Sequence, residues 1–257
     1  KELQTLARPE MKGTKEGEYY IGVDVARSAK TSNNASAIVV VRVRRDAKER
    51  VRELQAVNVV KLPNGLNFKQ QTVICKQMCA LYNAKAIVID INGLGKGLLD
   101  YMLDRNILDD GTELEPYDMI NTDYRSDYRE AKKLVYGIEA QKNNSEMITN
   151  FINVVEGSIL RILEHFDVNK ALDIPDEDFM VSDVLPFLRT ENFISEVQNI
   201  TVETIPGTGK LKIGQVVKAD KDIYSATIQV CWYVMAFCND ALPDEDEDFA
   251  SFFSGFI

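Results

Sequence analysis

Two aspartates, Asp24 and Asp90, each end an apolar run and each lead into a turn of small residues. The runs are "YYIGVDVA" over Tyr19–Ala26 and "KAIVIDING" over Lys85–Gly93. Runs of this kind read as strands buried on both faces. A carboxylate at the carboxyl end of such a strand lies in the crevice where open α/β sheets place their ligands. Two such acids side by side repel one another unless a cation sits between them. Mg2+ suits carboxylate oxygens and usually keeps several waters. A pair of such ions about 3.5–4 Å apart can activate a water and stabilise the leaving oxygen in phosphodiester cleavage. Either acid taken alone reads equally well as a helix cap or a turn residue.

Other chemistries are harder to build. The chain of 257 residues has one histidine, His165. A His₂ or His₃ zinc site and an HExxH protease are therefore excluded. His165 lies in "ILEHFD", in a stretch with amphipathic helical period, and reads as a surface or packing residue. The four cysteines, Cys75, Cys79, Cys231 and Cys238, fall at i,i+4 and i,i+7 within helix-patterned apolar segments. They read as two buried helix faces with reduced thiols, and there is no CxxC. "PGTGKLK" looks like a phosphate loop, but Thr204 and Leu211 stand where that motif needs glycine and Ser or Thr. "NGLGKG" reads as a tight strand-to-helix turn. Net charge is −10, with a basic excess in the first 60 residues and five consecutive acids at Asp244–Asp248. That balance disfavours a protein gripping nucleic acid over its whole surface and leaves room for a local basic strip.

The elements that must position these acids are legible as pattern. Residues 1–17 are polar, with Pro9 and two glycines, and read as a linker or mobile lead-in. After the Asp24 strand come two more, "SAIVVVRVRR" and "VRELQAVNVV", joined by the charged turn "DAKER". A helix over "NFKQQTVICKQMCALYN" puts Phe68, Val73, Ile74, Met78 and Leu81 on a face. The Asp90 strand follows, then a helix over "GLGKGLLDYMLDRN". Residues 106–130 are acidic, turn-rich and poorly periodic, an excursion, and "KKLVYGIEA" is a fifth strand. "SEMITNFINVVEGSILRILEHF" reads as one long amphipathic helix with Ser145 and Glu146 in its first turn. "SDVLPFLRTENFISEVQN" is partly helical, and "ITVETIPGTGKLKIGQVV" is a hairpin turning at Pro206–Gly209. The final helix, from Asp220 to Cys238, is apolar almost all round, yet the sixteen residues from Ile223 to Cys238 fall short of the roughly 20 of a membrane span. This is an α/β order with a central sheet.

"YYIGVDVARSAKTSNNASAIVVVRV", "AKAIVIDINGLGKGLLDYML" and "KADKDIYSATIQVCWYV", taken in order, resemble the three acidic motifs of the nuclease domain of tailed-phage large terminases, the subunits that drive DNA packaging. The resemblance spans most of residues 18–240. It implies an RNase H-like fold, a central mixed sheet flanked by helices, with 1–17 as lead-in and 241–257 as an acidic and aromatic tail. It implies a two-metal-ion endodeoxyribonuclease that cuts double-stranded DNA concatemers with little sequence specificity, using two Mg2+ or Mn2+ ions. Carried over residue by residue, Asp24 is the ligand between the metals, Asp90 a second and Asp222 the third. Asp220 competes for the third position. As N-cap of a helix starting there, it would be consumed by the first free N–H groups, leaving Asp222 in the first turn. Lys30, Lys96, Lys210 and Lys212, on loops near the acids, are the DNA-contact candidates. The basic cluster Arg42, Arg44, Arg45, Lys48, Arg50 and Arg52 reads at least as well as a charged hairpin edge. The resemblance further implies an ATPase domain in the same longer protein, in keeping with a chain that opens at Lys1 without Met. Portal and small terminase subunit would be partners, in the cytoplasm of the infected host, with no membrane. An inactive docking module of the same fold and an actin- or hexokinase-like ATPase are the alternatives.

Overall fold

The structure, a computed structural model, describes residues 3–26, 35–166 and 181–239. Eight strands form one sheet in the order β1-β10-β4-β3-β2-β5-β9-β8. They are β1 (Gln4–Leu6), β2 (Glu18–Asp24), β3 (Ala37–Arg45), β4 (Val51–Lys61), β5 (Ala86–Asp90), β8 (Tyr117–Met119), β9 (Lys132–Ile138) and β10 (Leu160–Leu163). β3 runs against both of its neighbours, β2 and β4, and every other pairing in the sheet is parallel. β2, β4, β5 and β9 therefore end on the same side. Two small pairs, β6 (Asn106–Ile107) with β7 (Glu113–Leu114) and β11 (Ile200–Thr204) with β12 (Leu211–Gln215), stand apart from it.

Helices cover both faces of the sheet, which is why β2, β3 and β5 are apolar runs without alternation. On one side, α1 (Phe68–Tyr82) and α2 (Gly95–Leu103) pack on Tyr19, Ile21, Val23, Ile87 and Ile89. On the other, α3 (Ala140–Glu156), α4 (Val181–Gln198) and α5 (Asp222–Phe237) pack on Tyr20, Val39, Val41 and Val88. The α/β architecture with a mixed central sheet is as expected. So is the hairpin β11–β12, where Gly207 and Gly209 take positive φ. α1 is capped by a reciprocal box of Asn67 and Gln70. No helix among the described residues is long and apolar enough to cross a membrane.

Four local expectations are corrected. The long helix placed over residues 145–166 begins earlier, at Ala140, and stops at Glu156. Gly157 and Ser158 (φ 54°) turn the chain, and Leu160–Leu163 enter the sheet beside β4. Periodicity misled here because a short apolar run fits a helix face and a buried strand alike. His165 consequently follows a strand instead of sitting in a helix, and its exposed ring meets Glu191 at 3.0 Å. The buried face of α1 is Gln71, Thr72, Cys75, Lys76, Cys79 and Tyr82, whereas Leu81 is exposed. Within the lead-in, Gln4–Leu6 pairs with β10 and the Glu10 amide donates to Val57 O, so this segment is packed on the sheet.

Three cations of the basic hairpin have acidic partners. Arg42 pairs with Glu10 (2.6 Å), Arg45 with Glu18 (2.7 Å) and Arg50 with Asp46 (2.8 Å). Cys75, Cys79 and Cys231 are buried free thiols, and Cys238 is half-buried. The excursion after α2 is held by Arg105, which lies 3.1 to 3.8 Å from Glu113, Glu115 and Glu130, and by β8 on the sheet edge.

Candidate active site

Register brings the first two acids together. Val23 of β2 pairs with Ile89 of β5 in parallel, so Asp24 and Asp90 end neighbouring strands on one side of the sheet. Ala37 of β3 opposes both Asp24 and Lys61, which puts Lys61, the last residue of β4, at the same edge. Asp90 is tied down through one oxygen: Oδ1 accepts from Asn92 N (3.0 Å) and Ala140 N (3.2 Å). The turn after it folds tightly back, with Gly93 at φ 63° and Gly95 so close that a Cβ would fall 1.6 Å from the Asp90 carbonyl oxygen.

The third acid arrives on α5. Gly22 of β2 lies under this helix, and a Cβ there would stand 2.1 Å from the backbone oxygen of Ala226. Gly22 and Asp24 share one face of the strand, two residues apart, as Asp222 and Ala226 share one face of the helix, four apart. The Gly22–Ala226 contact thereby sets Asp222 against Asp24. The electrostatics agree. Burial first, then the nearby Asp222 charge, with Asp90 and Glu196 adding to them, push the Asp24 carboxyl up to about 7 against the pull of Lys221. Asp222 is itself raised, first by burial and then by Asp220, against the pull of Lys61 and a backbone bond from Ala35.

Asp220 is occupied by different means from those expected. The helix begins at Asp222 and not at Asp220, with Lys221 at the N-cap making no side-chain cap bond. Asp220 is consumed by Lys61 instead, Oδ2 to Nζ at 2.9 Å. Lys61 also lies 3.6 Å from Asp222 Oδ2, beyond hydrogen-bonding reach. That oxygen is buried and has no hydrogen-bond partner among the described residues. Two further charged groups belong to the cluster. Glu196 of α4 is buried and accepts from Tyr224 N at 2.7 Å, and burial drives its carboxyl up to about 7. Lys61 is held above the ordinary lysine range because its two acidic partners outweigh its burial. Sequence reasoning passed over both. The available signal was a charge at each apolar boundary: a lysine closing the β4 run, and a glutamate three residues after buried Phe193 on the inward face of α4.

The lysine candidates scatter. Lys96 is exposed in the first turn of α2, and Lys210 is exposed in the β11–β12 turn. Lys212 is engaged by Glu203 across the hairpin at 3.0 Å. Lys30 lies outside the described residues. Among those residues, no three His, Cys, Asp or Glu side chains close into a ready-made metal cage. The donor chemistry nonetheless fits a hard cation, for the converging groups are carboxylates that repel one another and one buried oxygen, Asp222 Oδ2, is unsatisfied.

No protein-family model matches the chain, and no characterised protein matches it by sequence. Solved structures do match by fold. The large terminase nuclease of thermophilic phage G20c with bound magnesium superimposes with a TM-score of 0.53 at 12% identity, covering 89% of this chain and 92% of that one. The same nuclease without a named ion gives 0.53 at 11%, and with bound cobalt 0.52 at 12%, over the same shares of both chains. At such identities the likeness is one of architecture, and it agrees with the sheet and the helices flanking it: the chain shares the RNase H-like fold of the large-terminase nuclease domain.

Proposed function

We propose that this chain is a divalent-metal-dependent endonuclease that cuts double-stranded DNA concatemers during viral genome packaging, with little sequence specificity. The observation that carries the reading is the convergence of Asp24, Asp90 and Asp222 at one sheet edge, with Asp24 driven towards protonation by burial and then by its acidic neighbours. Mutually repelling carboxylates in a half-buried crevice cost stability, and a bound cation is what relieves that cost. Asp24 would lie between two Mg2+ or Mn2+ ions, with Asp90 and Asp222 as the flanking ligands. Bound there, the metal supplies Lewis acidity, activating water and stabilising the leaving oxygen of the phosphodiester. The protein's own groups prepare the site. The bonds from Asn92 and Ala140 hold Asp90 by Oδ1, and Lys61 draws Asp220 aside.

The partners follow from the same reading: double-stranded DNA, an ATPase domain of a longer protein, portal and small terminase subunit, in the host cytoplasm. A supercoiled-plasmid assay tests it. Relaxed and linear products should form with Mg2+ or Mn2+ and disappear with EDTA. Asp24→Asn and Asp90→Asn should each abolish them in folded protein. Full activity in EDTA would refute the metal reading, and activity in both variants would refute the site. No cleavage by the wild-type chain under any metal would favour an inactive docking module.

A further inference from the structure

The helix that delivers Asp222 has no cap of its own. The first N–H groups of an α-helix lack intrahelical acceptors, and at α5 the N-cap residue is Lys221, whose ammonium reaches Ser225 Oγ (3.2 Å) and supplies no acceptor. Tyr224, in that first turn, donates instead to Glu196 Oε2 at 2.7 Å, across from another helix. Glu196 sits on the face of α4 that buries Thr190 and Phe193, where amphipathic packing calls for an apolar side chain. The same turn is clamped by rings: Phe193 meets Phe151 of α3 edge-on at 6.3 Å, and Phe151 meets Tyr224 at 5.3 Å. A buried acid at that place is costly unless its hydrogen bond is needed.

We propose that Glu196 is a positioning residue, a helix cap supplied by α4 that fixes the first turn of α5 and so holds Asp222 against Asp24. It acts through the Tyr224 amide and not as a metal ligand, so its carbonyl oxygen matters and its charge does not. The proposal rests on the proposed function for its kinetic and Mn2+-binding consequences only. Its structural part can be read without cleavage.

The experiment compares Glu196→Gln, which keeps the accepting oxygen, with Glu196→Ala, which removes it. Three readouts are taken: amide hydrogen exchange at Tyr224, Mn2+ affinity by titration, and plasmid cleavage. Glu196→Ala should speed exchange at Tyr224 about tenfold while amides beyond Thr227 stay protected. It should weaken Mn2+ binding by about 10- to 100-fold, as loss of an outer partner does, and lower kcat with KM for DNA little changed. Glu196→Gln should restore all three to within about threefold of wild type. A Gln variant as poor in Mn2+ binding as the Ala variant would overturn the proposal, because the charge itself would then be required. Unchanged Tyr224 exchange and Mn2+ affinity in Glu196→Ala would overturn it equally. If exchange and Mn2+ affinity respond as stated while the wild type cleaves no DNA, the nuclease reading fails and the positioning role stands.

Discussion

Asp24 carries the clearest residue-scale consequence of the site. Its carboxyl has an ordinary value of 3.8 and is pushed up to about 7 in the folded chain. An acid whose folded value is raised favours the folded state when protonated, so metal-free stability falls as pH climbs from about 4 to 7 and stays low above that. Asp24→Asn, a permanent mimic of the protonated form, should therefore melt like wild type near pH 4. At pH 8 it should be more stable by on the order of 2 kcal/mol, and saturating Mg2+ should close the gap by stabilising wild type alone. Thermal melts across pH, with and without metal, measure this, and parallel curves for the two proteins would contradict it. Lys61 gives the opposite sign. It is the cation between Asp220 and Asp222, so Lys61→Met leaves two partly buried acids uncompensated. A loss of about 1–3 kcal/mol in metal-free protein is expected, read by denaturant unfolding and recovered in part when divalent cation is added.

At the scale of elements, the site depends on how closely α5 lies on β2. A Gly22→Ala side chain would meet the carbonyl oxygen of Ala226, which is backbone and cannot rotate away. The cost should be about 1–3 kcal/mol of overpacking, and the helix should lift, carrying Asp222 away from Asp24. Metal affinity and cleavage should fall together in protein that remains folded by circular dichroism. Ala226→Gly added to Gly22→Ala should bring no recovery, since it leaves the obstructing oxygen in place. Recovery in that double variant would show the obstacle to be a side chain. Which parts of this were legible in the sequence follows from what each part depends on. Asp24 and Asp90 are visible because a strand buried on both faces reads as an apolar run with a hard polar end. β10 is hidden because its few residues continue the apolar period of α3, and only Gly157 and Ser158 mark the break. Glu196 and Lys61 are hidden for a different reason. Their significance is tertiary, a capping bond between helices and an ion pair between β4 and the entry to α5, and no local spacing encodes either.

Across the whole molecule, charge sets the terms on which DNA can approach. The chain carries −10 overall, and part of its basic side-chain content is spent internally, as at Arg42, Arg45 and Arg50. A polyanion can then be held only by a local strip, and such binding weakens steeply with salt because it depends on releasing counterions from phosphates. The candidates are not equivalent. Lys96 and Lys210 are exposed, whereas Lys212 already has Glu203 as a counter-charge at 3.0 Å. If Lys96 and Lys210 meet phosphates, replacing either by Ala should weaken binding uniformly across DNA sequences. Each should also flatten the plot of log affinity against log salt by about one. Lys212→Ala should flatten it less, since part of its charge is already neutralised. Arg45→Ala should leave the slope alone and cost stability, for Arg45 binds Glu18 and the Cys238 carbonyl. Anisotropy titrations over a range of salt would separate these cases. An unchanged slope for both Lys96→Ala and Lys210→Ala would place the DNA on another face of the molecule.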